Sequence, residues 1–340
     1  MDIAVVILNY NGRNYLEQFL PSVVQYSAPA RVIIADNAST DDSVEFLKAN
    51  YPDLELIINN ENGGFAKGYN DALKQVKADY YVLLNSDIEV TENWINPCIE
   101  LLESDSEIAA CHPKVKAFHK KSHFEHAGAT GGFLDQDYFP FCRGRIFEFA
   151  EEDNGQYDET REVFWATGAC MFIRSSVYHE LGGLDEAFFA HMEEIDLCWR
   201  IKKRGYKIYY AHGSEVYHVG GGTLSYDSPR KTYLNFRNSI FMIIKNHEGV
   251  LFFKLFKRLV IDGIAAWKFL FTGKGGSFFA VFKAHMGMYA SLGRLLKQRK
   301  EIKKTSGVYN KTGTYSRSIV LDKFLRGRKK FSELDSSYFN

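Results

Sequence analysis

Residues 3–37 read IAVVILNYNGRNYLEQFLPSVVQYSAPARVIIADN, and this stretch decides the fold. An apolar run, IAVVILN, gives way to a helical pattern near Tyr15–Gln25. A second apolar run, RVIIADN, then closes on Asp36 and Asn37. Strand, helix and strand in that order make a βαβ unit. The alternation continues with a helix near Asp41–Asn50, the run LELIINN, a helix near Gly68–Lys77 and the run YYVLLNSD ending at Asp87. An α/β protein with a mostly parallel central sheet follows. Polar residues with backbone freedom come after each run: Asn9 to Gly12, Asp36 to Ser39, Asn59 to Gly64 and Asn85 to Asp87. Open α/β sheets bind their ligands at those strand ends. Residues 105–160 are less regular and read as further strands with an aromatic, acidic insertion around Asp135–Thr160, which either shapes a substrate pocket or is a variable surface loop.

With 340 residues, 46% of them apolar, the chain suits one large domain plus an appendage. Cys98, Cys111, Cys142, Cys170 and Cys198 lie far apart with no CxxC pair, which argues against a zinc ribbon or a disulfide framework and for a reducing compartment. Met1-Asp2 leads directly into the apolar run without the basic region or cleavage site of a signal peptide, so that run is expected to be a buried strand. The net charge of zero hides a division. Residues 1–225 hold 19 Lys+Arg against 35 Asp+Glu, whereas residues 226–340 hold 23 against 7. The acidic part suits a cation-dependent site, and the basic, Phe-rich part suits an anionic surface such as a phospholipid leaflet or nucleic acid.

Residues 240–271 set Ile, Phe, Leu and Trp around Lys245, Lys254, Lys257, Arg258 and Lys268, leaving no uncharged stretch near the ~18 residues a spanning helix needs. Lys254, Lys257 and Arg258 fall on one side of a helix, with Phe252, Phe253, Leu255, Phe256, Leu259 and Val260 over much of the rest. That is the composition of an interfacial amphipathic helix. The other reading is a helical subdomain packing its phenylalanines on the main domain. Arg326, Arg328, Lys329 and Lys330 read as a solvated basic tail.

The candidate chemistry centres on GGLDEAFFAHMEEIDLCWR, residues 182–200. Glu193, Glu194 and Asp196 repel one another unless they share a proton, a cation or a reacting hydroxyl, which makes them a candidate general-base site. They would equally suit a solvated first helical turn, with Asp196 paired to Arg200. Asp87 stands where a carboxylate can hold a divalent metal on a diphosphate, or simply cap a helix. His218 runs into Gly220-Gly221-Gly222-Thr223, and imidazole with Asp oxygen is a fair site for Mn²⁺ or Mg²⁺. Asp36 could accept a hydrogen bond from a uracil or thymine imide, or cap the helix beginning near Thr40. Asn62 to Asn70 opens a helix with three glycines, so its backbone can approach a nucleotide and offer N–H donors.

Taken in order, ILNYNG (7–12), ADNASTDDS (35–43), NNENGGFAKGYNDAL (59–73), LLNSDIEV (83–90), ATGACMFIRS (166–175), GGLDEAFFAHMEEIDLCWRIKKRGY (182–206) and VYHVGGGT (216–223) resemble the inverting family 2 glycosyltransferases of the GT-A fold, especially their bacterial rhamnosyltransferase-like branch. The resemblance covers about residues 1–225 and extends weakly to Asn235-Phe236-Arg237-Asn238. It implies a GT-A catalytic domain over 1–225, with a nucleotide-sugar part about 1–100 and an acceptor part about 101–225, followed by a basic helical region, 226–340, that associates with membrane.

By the same resemblance, Asn9, Asn11, Asp36 and Asn37, with Gly63, Gly64, Phe65, Gly68 and Asn70, would line the nucleotide pocket, and Asp36 would contact the pyrimidine. Asn85-Ser86-Asp87 stands at the DxD motif: Asn85 and Ser86 face the nucleotide sugar, Asp87 binds Mg²⁺ or Mn²⁺ and His218 completes the coordination. Glu194 takes the catalytic-base position, Glu193 contributes field or an acceptor contact, and Asp196 holds the helix through Arg200. Two departures stand out: Asn85 replaces an Asp, and Glu194 is one methylene longer than the usual Asp.

The implied reaction moves a sugar, rhamnose first, from a dTDP- or UDP-sugar donor to a hydroxyl of a glycan or polyprenyl-linked glycan precursor of cell-surface polysaccharide. The enzyme would be cytoplasmic and peripheral on inner-leaflet phospholipid at the inner membrane. A NAD-linked oxidoreductase is disfavoured because NYNGRN, not GxGxxG, follows the first strand. A phosphatase with an aspartyl nucleophile is excluded at Asn85, which cannot form an acyl phosphate. The alternative from another class is a non-catalytic sugar-nucleotide-binding or scaffold protein of the same fold. Nucleic-acid binding by the basic part would show as salt-sensitive affinity for DNA or RNA, and no such partner is expected.

Overall fold

The opening apolar run forms β1 (Ile3–Asn9), buried because helices cover both of its faces. α1 (Arg13–Tyr26) buries Leu16, Phe19, Leu20 and Val23, one stripe at helical spacing. β2 (Arg31–Asp36), α2 (Ser43–Asn50), β3 (Glu55–Ile58), α3 (Gly64–Leu73) and β4 (Tyr80–Asn85) continue the alternation. α3 begins at Gly64, ahead of the expected Gly68. The computed structural model describes residues 1–125, 128–220 and 228–340. Gly221, Gly222 and Thr223 of the glycine loop, and the boundary expected near residue 225, lie outside the described residues.

Next come β5 (Ile88–Val90), α4 (Asn96–Ser104), β6 (Ile108–Ala117) and β7 (Lys120–Phe124). The insertion forms β8 (Gly132–Asp135), β9 (Pro140–Cys142), β10 (Arg145–Ile146) and β11 (Phe149–Ala150). β12 (Arg161–Glu162), β13 (Cys170–Arg174), α5 (Ser175–Glu180), α6 (Glu193–Lys203) and β14 (Lys207–His218) complete this part. The main sheet runs β12-β14-β6-β13-β4-β1-β2-β3, with β5 on β14 and β7 on β6. Its β3-β2-β1-β4 half is parallel, and β13 lies antiparallel between β4 and β6. Because adjacent strand residues face opposite ways, Val5 joins Leu16, Leu20 and Leu102 in one core cluster while Val6 joins Tyr69, Leu73 and Trp199 in the other. The winding direction reverses at β1, which opens a crevice at the carboxyl ends of β1 and β4. Register sets Asn9 beside Asp36 and Leu8 beside Asn85 there.

From 229 to 305 the chain is helical: α7 (Pro229–Asn246), α8 (Leu251–Phe271) and α9 (Gly275–Thr305). Ile240, Phe241, Met242 and Ile244 of α7 belong to the main core. The expected amphipathic helix is α8. Lys254 donates to the Gln136 carbonyl at 2.7 Å, Lys257 pairs with Asp137 at 2.7 Å and buried Arg258 pairs with Asp262 at 2.8 Å. Burying Asp137 and Asp262 requires cationic partners, and Arg258 and part of Lys254 turn inward to supply them. Phe252, Phe253, Phe256, Val260, Ile264, Trp267 and Phe271 are left 48–83% exposed, while Leu255 and Leu259 pack against the core. The expectation that its phenylalanines pack on the main domain is corrected for most of them, while Lys257 and Lys268 stay exposed.

The tail is not free either. β15 (Thr314–Tyr315) adds in parallel to β8, giving a second sheet of order β11-β10-β9-β8-β15, and the N–H opening α10 (Ile319–Phe324) donates to Asp135 at 2.9 Å. Phe331 packs tilted against Phe133, and Phe339 meets it edge-on. The side chains of Arg326, Arg328, Lys329 and Lys330 are exposed, on a backbone that the sheet and the aromatic cluster hold in place.

Candidate active site

At the β1 and β2 ends, Asp36 is wholly buried. Its carboxylate accepts from Asn9 Nδ2 (2.9 Å), the Ser39 amide (2.8 Å) and the Ser39 hydroxyl (2.7 Å). Asp36 does not cap α2, whose first turn is instead bound by Asp41. Burial beneath Ser39 leaves the exposed polar surface to Asn11 and Thr40, joined through Asn11 Oδ1 and the Thr40 amide at 2.7 Å. Ser39 and Thr40 lie in the polar turn noted after the second strand, but the sequence reading gave neither a part in the pocket. A cleft of about 270 Å³ runs along Asn11, Gly12, Arg13, Asn14, Tyr15 and Asp41. A Cβ on Gly12 would stand 2.4 Å from Asn9 Oδ1. Gly12→Ala is therefore expected to displace the Asn9 amide from Asp36 and lower stability by about 1–3 kcal/mol, measured by thermal denaturation. An unchanged melting temperature would show that Asn9 moves aside freely.

The glycine segment is committed to the protein itself. Gly64 adopts φ +81°, where a Cβ would meet the Phe189 carbonyl oxygen at 2.4 Å, and the amide of Phe65 donates to that oxygen at 2.6 Å. Asn62 Oδ1 takes the Gly64 amide at 3.0 Å. The expectation that this turn offers its N–H groups to a nucleotide is corrected, since the helix terminus already has acceptors. Asn37 bridges Asn62, Asn59 and the Gly64 carbonyl. Gly68 packs against Asn37, and Gly63 lies over the flexible Lys67 side chain. Asn70 spends its amide on Leu184 (2.8 and 3.0 Å) and Tyr178 (2.7 Å), so it holds the Gly183 turn in place of lining a pocket.

At the β4 end, Asn85 and Ser86 are half-buried and the Asn85 amide donates to the Ala169 carbonyl at 2.9 Å. Pairing of β14 with β5 sets His218 opposite Ile88, next to Asp87. His218 Nε2 lies 3.3 Å from Asp87 Oδ1, and its Nδ1 is 3.0 Å from Glu125 Oε2. Burial depresses the imidazole, but Asp87 and Glu125 outweigh it and raise His218 to about 10. Burial likewise raises Asp87, and the imidazole more than offsets it. Oxygen and imidazole donors suit Mg²⁺ or Mn²⁺. Among the described residues no group of three or more His, Cys, Asp or Glu could hold a metal. Glu125, absent from the sequence reading, fixes the ring so that Nε2 faces Asp87.

The segment before α6 is strained. Phe189, His191 and Met192 all have positive φ (66°, 71° and 73°), at about 1–3 kcal/mol each. Glu193 and Glu194 then open the helix, each with a buried Oε2 that has no hydrogen-bond partner among the described residues. Burial pushes Glu194 up to about 7, and burial with the neighbouring Glu194 charge pushes Glu193 well above the usual carboxylate range. Glu194 is the more accessible of the two. Asp196 is wholly buried and saturated by Arg200 (2.9 Å), Lys245 (2.8 Å) and Asn246 (2.8 Å), so a place for it among the reacting groups is corrected to a structural one. The Thr167–Ala169 segment joins the two ends of the site: Ala169 holds Asn85, and Gly168 lies against Glu194 and Phe65.

Residues 4–182 match the family described as glycosyl transferase family 2. The chain belongs to that family. This glycosyltransferase is 23% identical over 263 residues to the N-acetylglucosaminyl-diphospho-decaprenol L-rhamnosyltransferase of Mycobacterium tuberculosis, covering 73% of this chain and 85% of the relative. It is 23% identical over 229 residues to the rhamnosyltransferase WbbL of Escherichia coli, covering 64% and 83%. These matches set the enzyme on the rhamnosyltransferase-like branch. Its fold is that of the mannosyltransferase PcManGT from Pyrobaculum calidifontis, solved with GDP-Man and Mn²⁺, at 14% identity and a TM-score of 0.52 over 89% of this chain and 85% of that one.

Proposed function

We propose that this glycosyltransferase inverts the anomeric centre of a dTDP- or UDP-sugar, rhamnose first, in transferring it to a hydroxyl of a glycan or polyprenyl-linked glycan precursor. The observation carrying this reading is Glu194: a carboxyl with an unpartnered Oε2, raised to about 7 by burial and separated by Thr167–Ala169 from the Asp87–His218 pair. Glu194 takes the proton from the acceptor hydroxyl as that oxygen bonds to the anomeric carbon. The bond to the diphosphate oxygen breaks on the opposite face, and the nucleoside diphosphate leaves. Asp87 and His218 would hold a divalent cation, which would supply positive charge against the charge growing on the leaving diphosphate. The relatives' rhamnosyltransferase names support the donor guess, and the decaprenol in one of them supports a lipid-linked acceptor. Incubation with a panel of UDP-, dTDP- and GDP-sugars, with product configuration read by NMR, tests the reading. A retained anomeric configuration overturns it, as does hydrolysis or transfer from GDP-sugars alone.

We further infer that the enzyme rests on the cytoplasmic face of the inner membrane. No helix among the described residues is long and apolar enough to cross a membrane. What supports a surface seat is the row Phe256, Val260, Ile264, Trp267 and Phe271 along α8, with Phe279, Phe282, Met286 and Tyr289 on the neighbouring α9, all exposed. Since Lys254, Lys257 and Arg258 of α8 are paired with Asp137 and Asp262, vesicle binding should depend mainly on aromatic insertion. Phe256→Ser with Trp267→Ser is expected to abolish co-sedimentation with anionic vesicles, whereas 0.5 M salt, roughly a 4 Å screening length, weakens it only partly. Loss of binding in salt alone would point to the lysine-rich surfaces instead.

A further inference from the structure

Asn238 is wholly buried in α7, and its side-chain nitrogen faces three backbone carbonyls of the strained segment: Phe188 and Ala190 at 2.9 Å and His191 at 2.8 Å. Two amide protons are thus shared over three oxygens. The orientation of that amide is itself fixed, because Arg237 Nε donates to Asn238 Oδ1 at 2.9 Å while Arg237 Nη2 donates to the Ala187 and Phe188 carbonyls at 3.0 Å each. Lys245, two turns further along the same face of α7, pairs with Asp196 one turn into α6. One helix therefore grips both the approach to α6 and its first turn.

Left-handed backbone is unfavourable for Phe189, His191 and Met192, none of which is Gly or Asn, so the segment relaxes unless its carbonyls are held. Met192 is the N-cap of α6 and Glu193 and Glu194 follow it directly, so any relaxation redirects their carboxylates. We propose that Asn238, oriented by Arg237, is a positioning residue that holds residues 187–192 in the conformation aiming Glu194 at the acceptor. This rests on the reading of Glu194 as the base. The constraint reaches the donor side as well, because the Phe189 carbonyl accepts from the Phe65 amide at the start of α3.

The test is Asn238→Asp, which keeps the shape but turns an oxygen toward the three carbonyls, together with Asn238→Ala. Each is expected to lower kcat by about 10²-fold with donor KM within about threefold. Amide exchange over 187–196 should quicken in both variants, a readout that does not depend on turnover. Adding Met192→Gly, which accepts left-handed φ without strain, is expected to restore part of the kcat lost in Asn238→Ala. In a Glu194→Gln background, Asn238→Ala should cost nothing more. Wild-type kcat in Asn238→Ala overturns the proposal, and so does an equal fall in kcat and donor affinity without rescue by Met192→Gly. If Asn238→Asp does not fold, Arg237→Lys carries the same signature at about tenfold, and unchanged exchange and kcat there overturn the proposal. A Glu194→Gln enzyme that keeps its turnover overturns the base reading instead, while quickened exchange in Asn238→Ala would still establish the clamp.

Discussion

Glu194→Gln is expected to lower turnover by about 10²–10⁴-fold while leaving nucleoside-diphosphate affinity nearly unchanged. The amide keeps the shape that fits beside Gly168 but cannot accept the acceptor's proton. In the wild-type enzyme burial favours the neutral acid, so activity should rise with pH through about 7. The same burial has a stability signature. Between the ordinary value of 4.5 and about 7 the folded chain holds a proton the unfolded chain has lost, so stability falls as pH rises through that window. Glu194→Gln removes that loss, and at pH 8 the variant should be more stable than wild type by about 1–3 kcal/mol. A variant that retains most of its turnover sinks the base assignment. A variant that is inactive but no more stable at pH 8 would mean that solvent already relieves the carboxylate.

The second large effect is expected at the other end of the site. Asp87→Asn or His218→Ala should abolish the enhancement of UDP or dTDP binding by Mn²⁺ in calorimetry and lower kcat/KM by about 10²–10³-fold. Glu125→Gln weakens the hold on His218 Nδ1 without removing a ligand, so its loss of Mn²⁺ affinity should fall near 10-fold, the lower end of the range for outer-shell partners. If Mn²⁺ tightens nucleotide binding equally in all three variants, the ion binds elsewhere.

The parts of this site that could be read from the sequence are those carried by local pattern. Asn9, Asp36 and Asp87 end apolar runs, and a parallel sheet brings such ends together without further information. Glu125 could not be found that way, because only the pairing of β7 with β6, and of β6 with β14, carries it to His218. Asn238 was marked by the resemblance, but its role was hidden for a similar reason: its partners are carbonyls about 50 residues upstream, and carbonyls leave no mark in a sequence. Asp36 and the glycine segment were found, but their burial could not be. Whether a polar group faces a ligand or a neighbour depends on what packs over it, here Ser39 and Phe189. For α8 the periodicity gave two correct stripes, yet the choice of inward stripe was made by Asp137 and Asp262, whose burial no periodicity reveals.

The return of the chain to β15 has a mechanical consequence. Because α8 and α9 leave the catalytic fold at α7 and rejoin it beside β8, the aromatic ridge is mounted at both ends and cannot swing like a tethered arm. A leaflet touching that ridge would hold the mouth of the site at one fixed height, selecting acceptors by how far their reactive hydroxyl stands above the lipid. It also means that shortening the protein after Asn238 would strip the closing strand from the small sheet. Point changes in the ridge, and not truncation, are the way to separate docking from folding.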